Sequence, residues 1–248
     1  MTNMVKDLKN LGIKKGGYLL VHSSYKSLGS EIKSISQVVE SLREALGEEG
    51  TLMFPALSYE SVGESTPVFD ILKTPSCVGA IPEWFRQQKG VLRSMSPTHS
   101  VCAIGAHAAE MVCNQEKDDT PVGPNSPFRK LRDVNGQILM LGCGLDPNTS
   151  MHGVEELVNP SYLFKEGFIK YKCTDIDGTN KELPVRRHNF SRPGKEVVQR
   201  YDRLKYVLPP GVLKVGQVLA ALCFLIEAKP MWDIAEIIMK EDQLFFVD

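Results

Sequence analysis

Residues 136–157 read GQILMLGCGLDPNTSMHGVEEL. Gln137 to Leu141 is a short, nearly all-apolar run that opens into Gly142-Cys143-Gly144, the pattern of a strand buried on both faces. Asn148-Thr149-Ser150 then reads as a capped helix start. The same pattern recurs nearer the N-terminus. Tyr18-Leu19-Leu20-Val21-His22 is an apolar run ending in the polar turn SSYKSLG, 23–29, and Gly50 to Pro55 is a second such run. Between them the spacing predicts a helix over 36–47, with Ser36 as N-cap and Gly47 as its stop. Strand, turn, helix, strand in that order implies an α/β sheet with at least one parallel crossover.

The other elements follow from the same rules. Helical spacing covers 3–11 and 79–88. A short strand over 100–105 leads into a helix that runs to about Cys113. Residues 58–76 and 114–127 read as loops, and a short helix starts at Phe128. Residues 169–174 alternate, Asp177-Gly178 is a hairpin signal, and Leu183-Pro184-Val185 answers it. Helices are expected at about 196–205, 215–228 and 230–240. The fold class is therefore α/β: a mixed central sheet layered with helices, one domain over 1–248, with a small antiparallel insertion at about 161–192.

Composition narrows the function. Apolar residues are 42% and charged residues 24%, the balance of a globular core rather than of a disordered or disulfide-scaffold chain. Net charge is −1, so no global basic field argues for nucleic acid. The longest apolar run, near 218–228, is too short to span a bilayer, and MTNMVKDLKN has no signal-peptide core. Six cysteines without CxxC spacing predict reduced thiols in a cytoplasmic protein, with Cys77, Cys102, Cys113 and Cys223 in apolar or small-residue surroundings.

Several constellations can carry chemistry. The turn at 22–29 puts backbone N–H groups at one sheet edge, where phosphate binds; its serines would equally satisfy a tight turn. It is neither a GxxxxGK[ST] loop nor a GxGxxG loop. Thr149, His152 and Glu155 recur at steps of three on a helix start, so a carboxylate can support the imidazole as a general base, or the pair can be incidental on an exposed helix. Two ligands are too few for a metal site, and HExxH is absent. The hydroxyl-rich stretch Arg93 to Val101 either orients a ligand or bonds its own backbone. Cys143 reads as a small core residue between glycines in preference to an acyl-carrying nucleophile. His107 and His188 have no partner that the sequence names.

Taken together, VHSSYKSLG (21–29), GTLMFPALSY (50–59), the stretch 67–105, VGPNSPFRKL (122–131) and 136–157 resemble the aminoglycoside 3-N-acetyltransferase family, in that family's order. The match is dense over roughly 8–165 and looser through 202–233. The resemblance implies an α/β fold distinct from GNAT acetyltransferases and an acetyl-CoA-dependent transfer to an amine, without metal and without a covalent acyl-enzyme. The family's T-x-x-H-x-x-E signature falls on Thr149, His152 and Glu155, with His152 as base and Glu155 as its support. The coenzyme A loop falls on His22, Ser23, Ser24, Ser27, Leu28 and Gly29. Ser100 and Val101 match the segment near the pantetheine and thioester. Tyr59, Glu60 and Asp70 match the acceptor side. Such an enzyme has coenzyme A and an amine as partners; a homodimer is compatible with it.

Two departures stand out. Many relatives read R-S-x-H-P where this chain has Arg93-Ser94-Met95-Ser96-Pro97. Residues 161–205 hold eleven Lys and Arg against six acids, a net +5 that leaves −6 for the remainder. If that segment borders the acceptor site it disfavours a polycation, and the acceptor becomes a neutral or anionic amine such as a nucleotide-linked amino sugar. If it does not, the charges are a solvated face.

Overall fold

The computed structural model describes residues 2–192 and 195–248. The strands in chain order are β1 (Tyr18–Ser23), β2 (Thr51–Pro55), β3 (Val68–Asp70), β4 (Leu92–Arg93), β5 (Val101–Gly105), β6 (Gln137–Leu141), β7 (Ile169–Thr174), β8 (Asn180–Val185), β9 (Ser191–Arg192), β10 (Lys195–Glu196), β11 (Leu213–Val218) and β12 (Ala221–Glu227). The helices are α1 (Asn3–Leu11), α2 (Ile35–Leu46), α3 (Ala80–Arg86), α4 (Ala108–Val112), α5 (Pro127–Asp133), α6 (Ser150–Val158), α7 (Leu204–Val207) and α8 (Ala228–Glu241).

Seven strands form the main sheet in the order β11-β12-β6-β1-β2-β5-β4. β1 runs parallel to both β6 and β2, and every other pairing is antiparallel. The apolar runs are buried on both faces because helices cover both. Leu20, Met53, Ile138 and Met140 pack toward α4, α5, α6 and α8. Leu19, Val21, Leu52, Phe54, Leu139 and Leu141 pack toward α1, α2 and α3. Each such side chain contributes roughly 1.5–3 kcal/mol on leaving water. Chain connections depart from β1 toward β2 on one side, while β6 lies on the other. The crevice at the carboxyl ends of β1 and β6 is therefore a topological switch point, where open α/β sheets bind ligands.

A second sheet, β3-β7-β8, packs around Phe69, Tyr171, Cys173 and Val185. The hairpin expected over 169–185 is there, but it is extended by β3, which pairs parallel to β7 from within the stretch read as the 58–76 loop. Three residues of alternating burial are too few to stand out in sequence.

The C-terminal third departs most from expectation. Instead of a helix over 215–228, the chain forms the β11–β12 hairpin, and β12 pairs antiparallel to β6. Leucine and alanine favour helix there, but a central strand must satisfy its backbone on both edges, and that requirement prevails. The turn is tight enough to hold Leu219 at φ 54°, and its N–H is bonded to Asp7 Oδ2 at 2.9 Å. The helix expected over 196–205 shrinks to a 3-10 turn at Tyr201–Arg203 leading into α7, while α8 matches the third. α2 starts one residue earlier than expected, and its cap is Ser34, whose hydroxyl accepts from Gln37 N, not Ser36. All six cysteines are free, yet Cys113 is exposed, against expectation.

Candidate active site

The decisive stretch builds one wall of the switch-point crevice. Gly142 closes β6 at φ 70°; a Cβ there would stand 2.7 Å from Ser27 Cβ, so the glycine lets the 23–29 turn lie against the end of β6. The chain then crosses to α6. That helix is pinned to α8 by Trp232 Nε1, which donates to Ser150 Oγ at 2.8 Å. It sits so close that a Cβ on Gly153 would fall 2.0 Å from the Trp232 ring. Side chains on α6 are thereby fixed to a rigid scaffold.

His152 and Glu155 meet on that helix, with His152 Nδ1 3.0 Å from Glu155 Oε2. Glu155 is completely buried, and its carboxylate also accepts from Tyr201 Oη at 2.8 Å and Tyr162 Oη at 3.1 Å. Tyr201 Oη lies 2.9 Å from His152 Nδ1 as well. Burial and the neighbouring carboxylate hold the Tyr201 phenol well above its ordinary range, so it stays a donor. Both contacts are made by Nδ1, so Nε2 is the ring nitrogen that they leave free. Thr149 occupies the cap position with helical dihedrals and makes no capping bond, and its hydroxyl is 3.5 Å from Pro147 O. It is not a cap, and it lines the cavity.

That cavity holds about 410 Å³, and its lining includes Tyr59, Thr98, His99, Thr149, His152, Arg187, His188, Phe190 and Tyr201. Three imidazoles cluster in it: His152 lies 5.2 Å from His188 and 5.7 Å from His99, between ring centroids. Burial holds His99 and His188 well below their ordinary range, and His22, also buried, is lowered to about 3. They are neutral, so a proton arriving on His152 meets Glu155 and no competing cation among them. Phe190 packs on His152 at 4.9 Å from a left-handed backbone, φ 45°, a conformation that costs a bulky residue of order 1–3 kcal/mol.

His188 has the partner that the sequence did not name. Its Nε2 is 2.8 Å from Glu156 Oε1, so the adjacent glutamates of α6 hold two different histidines. Burial pushes Glu156 up to about 7, against the bonds it accepts from Thr120 Oγ1 and Val122 N. The Glu155-Glu156 doublet was the available signal. Tyr162, Phe190 and Tyr201 left none, because their roles arise only when distant segments converge on α6. His107, too, has neighbours, Glu110 Oε2 at 3.2 Å and the Tyr18 ring.

The residues matched to the coenzyme loop sit at the end of β1. His22 Nε2 and Ser23 Oγ, on opposite faces of β1, are buried without a hydrogen-bond partner among the described residues. Ser27 Oγ donates to Ser24 Oγ at 2.9 Å, so these two also serve the turn itself; Leu28 is buried and Gly29 exposed. Ser100 and Val101 are fully buried and face inward. Ser100 Oγ donates to Ala56 O and accepts from Arg93 Nε, part of a clamp in which Arg93 also reaches Thr74 O at 2.6 Å and Ala56 O at 2.9 Å. Ser96 Oγ accepts the His99 N–H at 3.2 Å.

On the acceptor side, Tyr59 lines the cavity, while Glu60 is exposed and outside its lining. Asp70 caps its own turn through Leu72 N and Lys73 N, both 2.9 Å from Oδ1. Cys143 sits near Cys223, burial pushes its thiol up to about 12, and its sulfur contacts Gly144 O rather than a histidine. Most basic groups of 161–205 are paired at the surface: Lys165 with Glu64, Lys170 with Glu182, Lys181 with Asp175, Lys205 with Asp202, and Arg200 and Arg203 with Asp248. Arg186 stacks on Phe164 at 3.9 Å. Of the segment's basic residues, Arg187 lines the cavity. Among the described residues no group of three His, Cys, Asp or Glu is arranged to hold a metal ion, and no helix is long and apolar enough to cross a membrane.

A family model described as aminoglycoside 3-N-acetyltransferase matches residues 20–240. The chain is 29% identical to the SPbeta prophage-derived aminoglycoside N(3')-acetyltransferase-like protein YokD of Bacillus subtilis (strain 168), over 94% of this chain and 90% of that protein. It is 34% identical to aminoglycoside N(3)-acetyltransferase IV of Salmonella sp, over 64% of this chain and 59% of that one. It is also similar to the crystal structure of a mutant of aminoglycoside acetyltransferase AAC(3)-IVa in complex with a gentamicin, with TM-score 0.80 and 28% identity over 98% of this chain and 89% of that one.

Proposed function

The chain belongs to the aminoglycoside 3-N-acetyltransferase family and is an acyltransferase of that class, and from this we propose that it transfers the acetyl group of acetyl-CoA to an amino group of an aminoglycoside or related amino sugar, with His152 as general base. The observation that carries the reading is the His152–Glu155 pair at 3.0 Å, buried under two tyrosine hydroxyls and opening on a cavity at the switch point. In the transfer, the acceptor nitrogen attacks the acetyl carbonyl carbon and the carbon–sulfur bond breaks. His152 Nε2 takes the proton that the nitrogen sheds, and the departing thiolate is protonated in turn. Glu155 fixes the tautomer and stabilises the imidazolium, and the tyrosine hydroxyls that donate to Glu155 hold it in place. Thr149 Oγ1, free of a capping role and on the cavity wall, is the candidate donor to the developing oxyanion.

Acetyl-CoA is a substrate here, and the end of β1 suits it. The unpartnered His22 Nε2 and Ser23 Oγ offer polar contacts beside the crevice. Ser100 and Val101, fully buried, brace the end of the neighbouring strand β2, Val101 pairing with Pro55 and Ser100 Oγ donating to Ala56 O. Six free cysteines suit the reducing cytoplasm in which we place the reaction.

The test is thiol release from acetyl-CoA in the presence of amines, comparing the native chain with His152→Ala. Loss of about 10²–10⁴-fold in kcat with acetyl-CoA binding retained is expected. Unchanged turnover would remove His152 from the mechanism. Acetyl-CoA alone should leave Cys143 unmodified by mass; an added acetyl group on Cys143 would replace direct transfer with a covalent route.

A further inference from the structure

The charged residues of the cavity lining, the histidines aside, are Asp146 and Arg187. Asp146 Oδ1 accepts the Asp202 N–H at 2.9 Å, and its charge is not met by any cation's ion pair among the described residues. Arg187 has no carboxylate partner among the described residues, and its guanidinium reaches the Tyr59 carbonyl at 3.5 Å, too long for a strong bond. Room for its guanidinium is kept by Gly63: a Cβ there would stand 2.4 Å from Arg187 Nη1. Arg187 precedes His188, whose ring is 5.2 Å from His152. A permanent cation without an ion-pair partner among the described residues is thus held on the cavity that contains the base, with Asp146 as the one carboxylate of the same lining.

Resting on the acetyl-transfer reading above, the geometry points to an acceptor that carries a phosphate a few bonds from its amine, selected by Arg187. A guanidinium fork matches phosphate oxygens in a bidentate fashion. A polycation would bring several ammonium groups to a lining whose one carboxylate, Asp146, is matched by Arg187, which is selection by repulsion as well as attraction. An amino sugar phosphate and a nucleotide-linked amino sugar share the required chemistry.

The experiment compares kcat/KM by thiol release for glucosamine, glucosamine 1-phosphate, a nucleotide-linked sugar with a free amine, and gentamicin. The native chain should favour one of the phosphate-bearing acceptors over both glucosamine and gentamicin by at least about tenfold; which one says whether the nucleotide is read. Arg187→Glu should lower the ratio of phosphate acceptor to gentamicin at least about 30-fold, chiefly through KM. Arg187→Lys should restore part of it, which separates loss of charge from loss of fold. Equal ratios in the native chain and Arg187→Glu would overturn the proposal. So would a raised KM for acetyl-CoA with every acceptor, which would assign Arg187 to the cosubstrate. Fast gentamicin turnover with no phosphate preference removes this inference alone. A His152→Ala variant that still turns over acceptors removes the function reading instead.

Discussion

Two of the walls around the cavity are built differently. The α6 wall is one continuous stretch, strand β6, a glycine corner and a helix locked against Trp232. A second wall takes Arg187, His188, Phe190 and Tyr201 from separate points of the chain and holds Phe190 in a strained conformation. The first has the rigidity to place a base; the second has the variable chemistry to choose a substrate. Both converge on neighbouring glutamates, Glu155 and Glu156.

That contrast can be broken at several points. The largest effect belongs to His152→Ala, whose rate loss of about 10²–10⁴-fold should come with an unchanged unfolding midpoint. Next is Gly153→Ala, which drives a methyl into Trp232 and should destabilise by about 3 kcal/mol, read from urea unfolding. If it costs nothing, α6 is not locked to α8.

Acidification comes third. Folded His22 titrates near 3, whereas the unfolded chain takes up its proton near 6.5. The stability it contributes is therefore present above pH 6.5 and lost as pH falls toward 3, by about 2 kcal/mol between 6.5 and 5. His99 and His188 act in the same direction, and Glu156, raised to about 7, opposes them by gaining stability as pH falls below 7. His22→Gln should flatten the loss between pH 6.5 and 5 by about 2 kcal/mol; an unaltered slope would mean that His22 does not stay neutral.

Smaller effects follow on the second wall and its surface. Tyr201→Phe removes one donor from buried Glu155 and should cost about 1 kcal/mol, roughly fivefold in kcat. Lys170→Ala breaks the exposed 3.2 Å pair with Glu182 and should change stability by no more than about 0.5 kcal/mol. A large effect there would reinstate the basic hairpin as part of the acceptor site.

Legibility followed continuity along the chain. The parallel strands β1, β2 and β6, the helix after β6 and the β7–β8 hairpin could be read, because each buries a pattern of its own. The hairpin over 213–227 could not, since leucine and alanine favour helix until β6 offers an edge to pair with. Charge was legible only as a sum: six of the eleven basic residues of 161–205 lie in surface ion pairs, and Arg187 is the one on the cavity lining.

The sequence by itself determined the α/β class, the crossover at β1 and the closeness of His152 to Glu155, because these depend on strand burial and on a three-residue step along a helix. Tertiary structure alone decided that Tyr162 and Tyr201 clamp Glu155, that His188 answers Glu156 and that Arg187 faces the cavity. Those contacts join residues up to 46 positions apart. Local propensity carries no information about them, since they form only when burial of the two sheets' faces brings the segments together.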